Sequence, residues 1–365
     1  MNKHYLDTTL KLYDFTYNNH WNGSALMGPD PGVRWDRVLF RFIKSMLPFV
    51  NWKDDRYMLQ CQGYWIRNNW ILFDLLKDEK YKEIALKTTE TILSQQQAEG
   101  YWSYALPGWQ ARVATVEGDY AALGLLASYK WSKDDKYLSA ALKWYDFLNT
   151  KIGYGDYQGT QCIHYFAGEG GALVPNNATL TLELFGELFE VTRDDKYLEH
   201  CSKMVNFLKM VQLESGELPY SIGVDGGSGR THFMCYQYNA FQLIDLLHYY
   251  QATSDENILD VVKKLAMYIS TGIHADGHAH YACFKPYPEV VYYTAALGAA
   301  LLKASQLDVG NYHSFSEKAY KRVMCYRRSD GGFPYSFYNY GFLRDTRSYP
   351  RYLSMILRHL LMYIE

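Results

Sequence analysis

DDKYLSAALKWYDFL, residues 134–148, returns as DDKYLEHCSKMVNFL at 194–208 and, more loosely, as DEKYKEIALKTTETIL at 78–93. A weaker copy, DENILDVVKKLAMYI, starts at Asp255, and a degenerate one, VGNYHSFSEKAYKRVM, starts at Val309. The N-terminal HYLDTTLKLYDFTY, from His4, reads as a sixth. The five internal copies start 54 to 61 residues apart. The clearest open on a short acidic turn able to cap a helix N-terminus. Apolar residues then recur at helical spacing with polar residues between them. This pattern predicts half-exposed helices on the outside of a repeat-built domain.

Working outward, a more apolar segment precedes each internal copy. These are GYWIRNNWILFDLL (63–76), VEGDYAALGLLASY (116–129), NNATLTLELFGELFEV (176–191), CYQYNAFQLIDLLHYY (235–250) and VVYYTAALGAALLKA (290–304). A sixth, SYPRYLSMILRHLLMYI (348–364), ends the chain. Apolar character on most sides predicts helices buried on most sides. The count is six inner and six outer helices, with an extra helix near 36–49. The order starts outer and ends inner, so the last inner helix can pair with the first outer one and close a ring. The reading is a single all-α domain over residues 1–365. An open solenoid of helix hairpins fits less well, because common solenoid repeats run roughly 34–47 residues.

Loop lengths place a candidate site. Inner-to-outer turns are short, as in SKDDK and TRDDK, whereas outer-to-inner loops span 19–35, 98–115, 151–175, 213–234, 272–289 and 327–347. Long loops on one end of a rigid scaffold are where function concentrates. They carry Gly-aromatic turns such as AEGYWSY, ESGELPY and SDGGFPY, read as a structural repeat. Among the 365 residues are 35 Tyr, 17 Phe and 9 Trp, a set suited to a ring-lined but wet cavity. The net charge of -2, with scattered Lys and Arg, offers no footprint for nucleic acid. No apolar run reaches the length of a membrane span. The N-terminus lacks the apolar core of a signal peptide, and six widely spaced cysteines argue against a disulfide framework or structural zinc. A cytoplasmic protein is expected, with no cofactor and no metal; the sequence leaves the oligomeric state open.

Over its whole length the chain resembles the (α/α)6-toroid superfamily. That group includes unsaturated uronyl hydrolases, uronate-polysaccharide lyases, glucuronyl C5-epimerases and inverting glycosidases. The resemblance is one of architecture, and it implies a carbohydrate-active enzyme with a glycan or other small-molecule substrate. A related toroid occurs in terpene cyclases, but the chain lacks their DxDD and DDxxD acids; its nearest loop reads VDGG at 224–227.

Removing the C5 proton of a uronic acid requires a clamp for the enolate-like charge and a Tyr or His as acid or base. The densest such cluster opens the fourth inner helix: Arg230, His232, Tyr236, Tyr238 and Asn239. His232, Tyr236 and Tyr238 are the acid/base candidates. Arg230, Asn239, Asn176, Asn177, Arg344 and Arg347 are candidates to bind the substrate. A glycoside hydrolase would instead need two carboxylates, from Asp36, Glu117, Asp119 and Glu289. Trp35, Trp102, Tyr104, Trp109, Tyr292, Tyr293 and Tyr335 are candidate stacking platforms, and Arg351 joins Arg344 and Arg347 near the sixth inner helix. An isoprenoid-handling toroid or a non-catalytic binding ring is the third reading; Phe, Leu and Trp walls would favour isoprenoids. His278, His280 and Cys283 rank as a turn rather than a metal site, for want of a fourth ligand.

Overall fold

The structure is a computed structural model describing residues 3–33, 38–47, 49–50, 52, 54–104, 106, 109, 112–168, 170–224 and 227–365. Helices α1 (Lys3–His20) and α2 (Val38–Met46) precede a regular alternation. The inner helices are α3 (Leu59–Leu76), α5 (Thr115–Ser132), α7 (Pro175–Thr192), α9 (Cys235–Thr253), α11 (Val291–Gln306) and α13 (Pro350–Ile364). The outer ones, besides α1, are α4 (Glu79–Gln95), α6 (Asp135–Phe147), α8 (Cys201–Val211), α10 (Leu259–Ser270) and α12 (His313–Met324). Each inner helix packs on the next, and α13 packs on both α11 and α3, so the ring closes. Helix α13 also takes α1 on its outer side, as the element order anticipates. Among the described residues no helix is long and apolar enough to cross a membrane.

The short turns share one device. Lys77, Lys133, Arg193 and Ser254 take left-handed conformations that end four inner helices. The next residue is an aspartate in each case: Asp78, Asp134, Asp194 and Asp255. Its side chain accepts a hydrogen bond from the backbone N–H two residues on, capping the outer segment. The acidic start of the repeat is therefore a helix cap.

Four of the six long loops share another device, at Gly100, Gly216, Gly277 and Gly331. Gly100 and Gly331 adopt φ near +98° and +91°, and a Cβ there would lie 2.5 Å from the carbonyl oxygen of Lys143 and of Lys11 respectively. Each loop thus rests backbone-to-backbone on the next outer helix. Gln96 strengthens one such joint by donating to the carbonyls of both Gly100 and Ala140 at 2.9 Å, and Gln212 repeats this with Gly216 and Val261. Two small sheets brace the long-loop end. One pairs β1 (Tyr154–Tyr157) with β2 (Thr160–Ile163); the other orders β3 (Glu289–Val290), β4 (Ser336–Asn339) and β5 (Leu343–Asp345).

Charged groups fill the ring axis towards the short-turn end. Arg67 on α3 donates to Glu183 on α7 at 2.8 Å, and the same oxygen pairs with His248 Nδ1 on α9 at 2.8 Å. These residues join helices that are not all neighbours around the ring, so they tie it across its middle. Burial pushes the Glu183 carboxyl up, but Arg67 and His248 outweigh it and hold the group well below the usual carboxylate range.

One bond departs from expectation. Cys235 and Cys283 form a disulfide with Cα atoms 5.7 Å apart, while Cys61, Cys162, Cys201 and Cys325 are thiols. Wide spacing in sequence concealed a short distance in space, because the start of α9 and the following long loop share the rim.

Ring closure passes through Gly331 onto α1. Gly331→Ala should therefore destabilise the fold by about 1–3 kcal/mol, through the left-handed backbone and the collision with Lys11. Urea unfolding would measure this, and an unchanged midpoint would mean that the joint does not hold the ring.

Candidate active site

The first turns of all six inner helices point to the long-loop end, where they enclose a cavity of about 510 Å³. Each contributes a side chain: Gln60 from α3, Glu117 from α5, Asn176 from α7, Tyr238 from α9, Tyr292 from α11 and Arg351 from α13. Ten tyrosines line the wall. Among the described lining residues Glu117 is the one carboxylate, Arg41 and Arg351 are the cations, and there is no histidine, tryptophan or leucine.

The cations are fixed before any ligand arrives. Arg351 lies over Tyr352, and its Nε sits 2.7 Å from the Asp30 carboxylate, which is almost fully buried. Its remaining donors reach Gln60 Oε1 at 3.2 Å and the Tyr352 hydroxyl at 2.8 Å. Arg41 is held the same way, Nε 2.9 Å from Asp345 and the guanidinium over Tyr335. Such anchoring presents a guanidinium at a fixed position and lowers the entropy lost on binding.

Glu117 is buried at the start of α5 and accepts the backbone N–H of Leu59 at 3.0 Å, so it caps the neighbouring α3. Burial pushes its carboxyl up to about 7, against the pull of Arg351 and of the N–H groups of Gln60 and Leu59. A carboxyl at that value can exchange a proton near neutral pH. Tyr238 meets Tyr220 edge-on at 5.3 Å, and among the described residues its hydroxyl has no hydrogen-bond partner. Burial pushes that hydroxyl well above the usual tyrosine range, so it is protonated at neutral pH.

Eight of the residues singled out from sequence meet at this cavity: Tyr104, Glu117, Asn176, Tyr238, Tyr292, Tyr293, Tyr335 and Arg351. Asn177 lies fully buried in the same first turn of α7 as Asn176, and neither amide atom has a partner among the described residues.

The other described candidates lie elsewhere, most of them held by partners remote in sequence. Asp119 accepts from Trp144 Nε1 at 2.8 Å and from Thr181 at 2.7 Å inside the helix layer. Glu289 is fully buried against Arg322, with two bonds of 2.9 and 2.8 Å. Asn239 clamps Leu218 through both its N–H and its carbonyl. Tyr236 stacks on Tyr268 at 4.9 Å, and Trp102 donates to the Ile92 carbonyl within the core. His232 is exposed at the rim and pairs with Glu217 at 3.0 Å. Arg230 covers Phe233, Arg344 covers Phe337, and Trp109 stacks on Phe166. Arg347 pairs with Asp54 at 2.8 Å beside a separate hollow of about 600 Å³ outside the ring. Trp35 and Asp36 lie outside the described residues, as do Glu169 and Asp225, acidic residues of the loops 151–175 and 213–234.

Sequence reasoning passed over half of the phenols: Tyr120, Tyr165, Tyr220, Tyr281 and Tyr352. A usable signal was present. A polar or tyrosine residue one to three positions into each inner helix marks the wall, because that turn faces the mouth.

No family model matches the chain, and no curated protein matches it in sequence. Solved structures do match it in shape. Cellobiose 2-epimerase from Bacillus thermoamylovorans B4167 superposes with a TM-score of 0.76 at 13% identity, covering all of both chains. A polysaccharide lyase gives 0.70 at 12% identity over 99% of this chain and 96% of the other. An inactive variant of the α-1,6-mannanase of Salegentibacter sp. HEL1_6, solved with α-1,6-mannotriose, gives 0.72 at 14% identity over 99% and 100%. An epimerase, a lyase and a mannanase thus share one fold, and the fold does not choose a reaction. What the likeness does show is architecture: the chain is an (α/α)6 toroid.

Proposed function

We propose that the chain is a carbohydrate-active enzyme that removes the C5 proton of a uronic-acid residue, as a lyase or C5-epimerase. The observation that carries this reading is the wall itself: ten phenols, two anchored guanidiniums and one carboxylate of near-neutral pKa. Phenol rings stack on the C–H faces of sugars while their hydroxyls meet sugar hydroxyls. Arg351 and Arg41 would receive the uronate carboxylate and the charge that develops on it. Glu117 would take the C5 proton, and Tyr238 would give one, either to the leaving oxygen or to the opposite face of the sugar ring.

The hydrolase reading needs a second carboxylate roughly 6.5–9.5 Å from the first in an inverting enzyme. Among the described residues Asp119 and Glu289 are committed elsewhere, which favours the one-carboxylate chemistry. The scarcity of Phe and the absence of Leu and Trp among the described lining favour sugars over isoprenoids. Reducing compartments keep thiols free, so a cytoplasmic location requires the Cys235–Cys283 pair to be reduced in place.

The test is mass spectrometry of uronate-containing oligosaccharides incubated with the protein in deuterated water. Cleavage without gain of water, or deuterium uptake without cleavage, supports the proposal; cleavage with gain of water makes the protein a hydrolase, and an inert panel overturns the uronate reading. Tyr238→Phe should keep the fold and lower turnover by roughly 10²-fold or more. Unchanged turnover would remove Tyr238 from the chemistry.

Acting as a base, Glu117 gives a rate that rises with pH through about 7, and Glu117→Gln abolishes this limb together with most activity. The same group sets a stability trend. Its folded value lies above the ordinary 4.5, so the folded chain holds a proton that the unfolded chain releases. Its contribution is full below 4.5 and is lost as pH rises towards 7. Melting curves across that window should fall less steeply for Glu117→Gln than for the natural chain.

A further inference from the structure

Beside the cavity, four groups converge that the proposed chemistry does not use. They are Glu217 and His232 from the loop before α9, Cys235 at the start of α9, and Cys283 from the loop after α10. One donor atom from each lies within 4.8 Å of the others. Cys283 Sγ sits 3.5 Å from His232 Nδ1 and 3.5 Å from Glu217 Oε1, and His232 Nδ1 sits 3.2 Å from that same carboxylate oxygen.

These lengths can be set against a tetrahedral zinc site. With Zn–S of about 2.3 Å and Zn–N and Zn–O of about 2.0–2.1 Å, the tetrahedron edges are about 3.5–3.6 Å for S to N or O and about 3.3 Å for N to O. Three edges are therefore nearly in place with no ion present. The fourth partner, Cys235 Sγ, is bonded to Cys283, and the pair needs only to part to about 3.8 Å. Separate zinc-binding residues on adjacent loops have the right chemistry as well as the right spacing: two thiolates, an imidazole and a carboxylate.

The surroundings favour a cation. Glu217 is nearly fully buried, and among the described residues its ion-pair partner is His232, with no Lys or Arg. Behind the cluster the Tyr268 hydroxyl stands 3.3 Å from Cys283 Sγ, the kind of outer support that orients metal ligands. The contrast is His274, Asp276 and His278, also close together. There Arg322 Nη2 already lies 3.5 Å from Asp276 and fills the place of a cation.

We propose that Glu217, His232, Cys235 and Cys283 form a zinc-class divalent site when the two cysteines are thiols, so that one pair carries either a disulfide or a metal ion. The exchange balances. A dithiol reduces the bond: the protein sulfurs gain two electrons and two protons, and the dithiol closes its own disulfide. The ion then displaces two thiol protons and binds two thiolates, the neutral imidazole at Nδ1 and the carboxylate. Either state pins the loop after α10 to the start of α9, on either side of Met234 and Tyr281, which line the cavity. The loop stays docked in both redox conditions, and this holds whatever reaction the cavity performs.

The test uses the full chain, oxidised or reduced, titrated with Co²⁺ alone and then with Zn²⁺. Thiol counts after denaturation certify the two states, four thiols when oxidised and all six when reduced. The reduced chain should bind one Co²⁺ with tetrahedral visible bands and a thiolate-to-cobalt charge-transfer band; Zn²⁺ should bleach both, and the oxidised chain should show neither. Cys283→Ser should lose the tetrahedral spectrum. His232→Ala, at an exposed position, should weaken binding with unchanged circular dichroism, which guards against a folding failure of the cysteine variant. Tyr268→Phe should weaken it about 10-fold or more by loosening Cys283. A fully reduced chain without tetrahedral bands, or bands untouched by His232→Ala, overturns the site. Neither readout depends on an activity, so failure here is distinct from failure on the uronate panel.

Discussion

Every inner helix needs a neighbour on both flanks, and the last one has to find the first. Helices α3, α5, α7, α9, α11 and α13 are buried on most sides, so an open arc would leave two apolar flanks in water. Helix α13 resolves this by packing against α11, α3 and α1 together. Closure then dictates the layout of the whole molecule. The inner helices run the same way, their first turns crowd one mouth, and the connecting loops must span from the outer layer to that mouth. The cavity is the space that six converging first turns leave open.

That origin explains the composition of the wall. A first-turn position faces the mouth on one side and the neighbouring helix on the other, which suits a residue with an apolar body and a polar tip. Tyrosine meets both demands at Tyr238, Tyr292, Tyr293 and Tyr352, while Tyr104, Tyr165, Tyr220, Tyr281 and Tyr335 reach the wall from the long loops and Tyr120 from the second turn of α5. Fixed charge enters only where a buried partner holds it, as Asp30 holds Arg351 and Asp345 holds Arg41. Glu117 shows the same economy, since a group that caps α3 also presents a carboxyl of near-neutral pKa to the cavity.

The architecture was readable because periodicity is local. Twelve helices, their alternation and the contrast between short turns and long loops all follow from residues near one another in sequence, and the extra helix near 36–49 appears as α2. The site was half legible for the opposite reason. Asp119, Glu289 and Asn239 sit at the right ends of the right elements. Their side chains turn to Trp144, Arg322 and Leu218, partners between 21 and 33 residues away. Helical phase within one turn decides whether a side chain meets the cavity or the helix layer, and a repeat alignment does not resolve that phase. The Cys235–Cys283 bond was hidden likewise, since 48 residues of chain separate two points on adjacent parts of the rim.

The contact between Tyr5 and Tyr363, whose rings lie 4.3 Å apart, places both ends of the described chain side by side at the short-turn end. A two-residue link like those capped by Asp78 or Asp134 would resemble the other joints of the ring there. The molecule is therefore circular in space though linear in covalent order. A circularly permuted gene, with its new ends cut in an exposed stretch of one long loop, would encode the same packing from a different first residue.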